Sequence, residues 1–140
     1  MAAAPPTLTR DVTGLAVLLA TSGVMHLVRP TVYEGIVPHV LPHRRALVHA
    51  SGIAELVCAA GLLAPSTRRM AGYASAVLLV AVFPANVQMS VDQARRAERT
   101  GDAAARATLV ATLARLPLQV PLVLWAVSAA RSARYGRPAE

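Results

Sequence analysis

Apolar residues along the chain gather into four long runs, and the stretches between them collect prolines and arginines. The runs cover about residues 12–28, 46–64, 70–91 and 107–130. Each has roughly the 17–25 residues that cross a hydrocarbon layer at about 1.5 Å rise per residue. Hydrocarbon offers no partners to backbone polar groups, so each run is expected to satisfy them internally as an α-helix. The expected architecture is an all-α, integral membrane four-helix bundle, with residues 1–140 forming a single transmembrane domain.

The connections differ in kind. Residues 65–69, PSTRR, predict a tight turn between the second and third spans. Residues 92–106, DQARRAERTGDAAAR, predict a polar connection with helical character. In residues 29–45, RPTVYEGIVPHVLPHRR, Tyr33, Ile36, Val37, Val40 and Leu41 fall at helical spacing. Pro38 and Pro42 rule out a long helix there. A short broken element at the membrane interface is expected between the first and second spans.

Composition agrees with the pattern. The chain is 55% hydrophobic and 15% charged, against about 25% charged in a typical soluble domain. Its net charge of +7 comes from arginine alone, since lysine is absent. Most arginines stand near the ends of apolar runs, in pairs such as Arg44 with Arg45, Arg68 with Arg69 and Arg95 with Arg96. Such charges reach for lipid phosphates, so they mark a lipid bilayer as partner and not nucleic acid. With both termini on one side, the arginine count is six against seven, a tie under the positive-inside rule. Asp11 and the length of the first run argue against a cleaved leader ending near Ala20-Thr21-Ser22. The lone Cys58 has no internal disulfide partner and reads as a small buried hydrophobe.

Residues 80–90, VAVFPANVQMS, break the apolar pattern with a proline, an asparagine and a glutamine. They are not the only polar residues inside a span. Taking the side that holds the termini as the near side, His26 lies about 21 Å up the first helix and Asn86 about 24 Å up the third. Glu55 and Arg115 lie about 14 Å and 12 Å below the far side on the second and fourth. One polar residue from each helix therefore falls in the middle or far half of a core about 30 Å thick. An isolated charge there costs about 2.5–3.5 kcal/mol on insertion scales. A Glu55–Arg115 ion pair is expected, with His26 and Asn86 satisfying the remaining atoms. Gln119 and Ser51, each one turn away on the same faces, are expected to join. Gln88, about 200° around from Asn86, faces elsewhere. Pro84, Pro117 and Pro121 free carbonyls beside these residues and open room for a pocket.

The candidate ligand-binding set is thus His26, Glu55, Asn86, Arg115 and Gln119. Intramembrane ionisable residues are usually functional, although a buried pair can also serve only to fix helix register. His39 and His43, four apart with Pro42 between them, lack a completed ligand set, so no metal site is expected. No nucleophile–base motif or phosphate loop is present, and nothing decides whether the chain is an enzyme.

Five stretches resemble the DoxX-like family of small bacterial four-helix membrane proteins. They are SGVMHLVRP (22–30), IVPHVLPHR (36–44), SGIAELVCAAGLLAPSTRR (51–69), VAVFPANVQM (80–89) and RLPLQVPLVLW (115–125). The resemblance implies the bacterial cytoplasmic membrane, with the termini in the cytoplasm. It also implies a redox-associated subunit that binds a quinone or similar lipid-soluble molecule, with electrons supplied by a redox partner protein. His26, Glu55 and Arg115 would then meet the carbonyls or protons of the quinone. Two alternatives stay open. One is a small transporter or lipid-binding protein, which would need a homo-oligomer because four short helices leave little room for alternating access. The other is a ligand-free scaffold whose ion pair only fixes helix packing.

Overall fold

The computed structural model describes residues 9–38 and 40–133. All its regular elements are helices: α1 (Arg10–Val28), α2 (Pro30–Glu34), α3 (Arg44–Leu63), α4 (Arg68–Thr100) and α5 (Ala103–Ser132). The four long helices are each long and apolar enough to cross a membrane.

Local chemistry sets the ends. Thr9 caps α1 by accepting from the Val12 N–H at 3.4 Å, and Asp11 places negative charge in the first turn, where the helix dipole favours it. Pro30 pushes Arg29 out of helical geometry and ends α1. Ala64 is extended ahead of Pro65 and ends α3 in the same way. Arg68, almost wholly buried, turns back from the start of α4 and donates from Nε to the Leu62 carbonyl at 2.9 Å. A guanidinium there satisfies orphan carbonyls and meets the negative end of the α3 dipole.

α4 and α5 are longer than the third and fourth apolar runs that they contain. The expected polar connection over 92–106 is almost all helix, because α4 continues to Thr100 and α5 starts at Ala103. Nothing between Val91 and Thr100 breaks a helix. Gly101 does, adopting a left-handed φ of 65° with its N–H bonded to the Ala97 carbonyl. Asp102 then caps α5, accepting from the Ala105 N–H at 2.6 Å. That bond holds its carboxyl below the usual aspartate range.

The long helices form two pairs, α1 on α3 and α4 on α5, joined mainly by α3 against α4 and more loosely by α1 against α5. Glycines allow the closest approaches. A Cβ on Gly72 would stand 2.7 Å from the Ala126 carbonyl and from the Ala130 nitrogen, so α4 and α5 touch backbone to backbone there. A Cβ on Gly23 would stand 2.7 Å from the Gly52 carbonyl, which marks the same kind of crossing between α1 and α3. The dense core occupies the half of the bundle that includes the α1 start and the α5 end, around Leu15, Leu19, Leu62 and Ala126. The outward faces remain apolar: Val24 is 48% exposed, Val57 65%, Val77 70% and Val120 62%, one from each long helix. The expected broken element contains α2, and His43 enters α3 with a left-handed φ of 53°.

Candidate functional site

The other half of the bundle is hollow. A cavity of about 920 Å³ lies among the four long helices and the segment after α2. All five candidate residues, His26, Glu55, Asn86, Arg115 and Gln119, line it. Their convergence follows from depth: each sits at a similar height on its own helix.

The pairing inside the cavity differs from expectation. Glu55 stands against His26, with its Oε2 3.3 Å from Nδ1, and no Glu55–Arg115 ion pair forms among the described residues. The cause is the glycine crossing. Gly23 is one turn before His26 and Gly52 one turn before Glu55, so close contact at the glycines brings the two polar side chains together. A Cβ on Gly23 would lie 3.2 Å from the Glu55 Cβ, and one on Gly52 would lie 2.8 Å from the His26 Cβ. α3 and α5 occupy diagonal corners, which leaves Arg115 across the cavity.

The His26 ring is tightly defined. Nδ1 lies 2.8 Å from the Ser22 carbonyl, an atom that can only accept, so Nδ1 carries the hydrogen. The hydrogen goes to Ser22, and Glu55 Oε2 sits beside it as a charge neighbour without a hydrogen bond of its own. Tyr33 of α2 stacks on the imidazole with ring centroids 4.0 Å apart, folding α2 back over the site. The second ring nitrogen, Nε2, has no partner among the described residues.

Asn86 and Gln119 form a separate, satisfied chain. Asn86 Nδ2 donates to Gln119 Oε1 at 3.0 Å, and Gln119 Nε2 donates to the Leu79 carbonyl. Gln119 thus pairs with α4 and not with Arg115 on its own helix. The carbonyl it reaches lies next to Val80, whose usual donor is removed by Pro84. Gln88 stays out of the cavity and donates to Asp92 at 3.0 Å.

Several polar atoms remain without hydrogen-bond partners. Ser51 Oγ and Glu55 Oε2 are buried and unbonded, and both residues line the cavity. Glu55 itself is only 6% exposed. Arg115 is exposed to the cavity, and no acid among the described residues pairs with it. Among the described residues no group of three or more His, Cys, Asp or Glu could hold a metal ion, and His39 lies outside them.

Sequence reasoning missed Tyr33, the Ser22 carbonyl, Arg68, Gly23 and Gly72. One signal was available: Gly23-x-x-His26 and Gly52-x-x-Glu55 share one spacing, which places a close-approach residue one turn from each polar group. Gly14 has nothing within 4 Å of a Cβ built on it. No curated protein and no solved structure matches the chain. Residues 15–130 match the family described as Domain of unknown function (DUF8561), and the chain belongs to that family.

Proposed function

We propose that the chain is a multi-pass protein of the bacterial cytoplasmic membrane, with its termini in the cytoplasm. Its hollow half takes a quinone or similar lipid-soluble molecule. Apolar side chains on the outward faces of all four long helices support the membrane setting, since lipid covers such surfaces without cost. The observation that carries the ligand reading is the cavity of about 920 Å³, mostly apolar but with unbonded Ser51 and Glu55 oxygens. Ligand sites commonly combine an apolar wall with a few convergent polar groups in this volume range. In the proposed role the protein is a redox-associated subunit of DoxX-like type. It holds the ligand head near His26, Glu55 and Arg115, and a partner protein supplies the electrons.

The test is to purify the protein with native lipids and identify bound small molecules by mass spectrometry. A quinone or related molecule present with wild type and lost with Glu55→Gln and Arg115→Leu is the expected result. If neither change alters the bound molecules, the assignment of the site is wrong. The scaffold reading draws on one observation, the closed Asn86–Gln119–Leu79 chain, which needs no ligand. That reading predicts no bound molecule at all.

A further inference from the structure

The open polar positions of the cavity are unequal, and their inequality bears on which form of ligand fits. On the α1–α3 side the buried carboxylate is an acceptor. Glu55 Oε2 is buried, has no hydrogen-bond partner, and as a carboxylate oxygen can only accept. The Ser22 carbonyl fixes a hydrogen of His26 on Nδ1, which leaves Nε2 open to the cavity. Ser51 Oγ, one turn before Glu55, can do either and is unbonded. On the α5 side the open group is the Arg115 guanidinium, which only donates and has no acidic partner among the described residues.

A quinone carries only acceptors on its ring oxygens. Its carbonyl suits Arg115, but its second carbonyl would meet the Glu55 carboxylate acceptor to acceptor. The hydroquinone form carries a hydroxyl at each end. One hydroxyl donates to Glu55 Oε2 while the oxygen of the other accepts from Arg115. We propose that the juxtaposition of the buried, unbonded acceptor of Glu55 with the donor of Arg115, which no acid among the described residues pairs, makes the cavity selective for hydroxyl-bearing, hydroquinone-type heads over diones. The inference rests on the ligand class proposed above and specifies its form. Binding alone is at issue, and no electron transfer is assigned to this chain.

The acceptors dominate the discrimination because a buried acceptor facing another acceptor loses its bond and stays desolvated. A preference of about tenfold or more is expected, since leaving one such group unmade commonly has an effect of that size. Glu55→Gln replaces one carboxylate oxygen by an amide that donates, so that variant should retain a preference of no more than about threefold.

The experiment uses the full chain in lipid nanodiscs under argon. Kd is measured by microscale thermophoresis for a decyl-substituted benzoquinone and for its hydroquinone. Tighter binding of the hydroquinone to wild type, with the preference reduced in Glu55→Gln, is the expected result. Equal binding, or tighter binding of the dione, overturns the selectivity while leaving the ligand class intact. Failure of both forms to bind wild type overturns the ligand class as well. Persistence of the full preference in a folded Glu55→Gln removes Glu55 from the role. The wild-type comparison stands by itself if that variant does not fold.

Discussion

The two halves of this bundle are built from the same helices and differ in how closely those helices approach. In the half with the α1 start and α5 end, Leu15, Leu62 and Ala126 are fully buried, and Gly72 lets α4 and α5 meet at the backbone. In the other half the α1–α3 crossing stays tight at Gly23 and Gly52, yet a cavity of about 920 Å³ opens beside it. Small residues thus serve two ends. In one half they remove space. In the other they bring a histidine and a glutamate together at the wall of a space that remains.

Substitutions can break this contrast. The largest effect is expected at Leu62, which is 0% exposed: Leu62→Ala should lower unfolding stability in detergent by about 2 kcal/mol or more. Leu118, 57% exposed at the cavity, should lose less than about 0.5 kcal/mol on the same change. Equal losses would show that the hollow half is packed in solution. The glycines give a second pair. Gly72→Ala forces a Cβ against backbone atoms of α5 and should cost about 1–3 kcal/mol. Gly14→Ala meets nothing and should gain up to about 1 kcal/mol from helix propensity. Thermal unfolding of both variants in one detergent checks the difference.

Arg115 sharpens the comparison in the opposite direction. A guanidinium without an acid in a span is costly, so Arg115→Leu should raise stability by about 1 kcal/mol while abolishing ligand retention. Reduced stability would mean that the side chain has a structural partner. The smallest effect lies outside both halves, at Asp102. Its folded pKa is depressed, so its charge stabilises the helix start above the unfolded value and that contribution fades as pH falls through the folded value. The stability difference between wild type and Asp102→Asn should be constant near neutral pH and shrink below about pH 4. A difference that persists unchanged to pH 2 would show that the charge has no role.

The apolar runs between arginines made the four long helices legible, because hydrocarbon length and helical rise leave few alternatives. They did not mark where α4 stops, since residues 92–100 are polar yet compatible with a helix. The stop was written in Gly101 and Asp102, the adjacent C-terminal glycine and N-terminal cap. Depth was equally legible, which is why His26, Glu55, Asn86, Arg115 and Gln119 were expected near one another. Partner choice was not, because it depends on azimuth and on which helices are neighbours. Glu55 pairs with α1 because Gly23 and Gly52 set that crossing, and Gln119 turns to Asn86 because α4 is its nearest companion.

The joint at Gly101–Asp102 has a practical consequence. α4 is 33 residues and α5 is 30, so each is roughly 45–50 Å long and both outlast the apolar stretch that precedes or follows the joint. They meet in a two-helix stalk with a break of only two residues. A helical reporter domain spliced in phase at that break would be held stiffly, giving a 14.6 kDa protein the added mass and fixed fiducial that particle imaging requires.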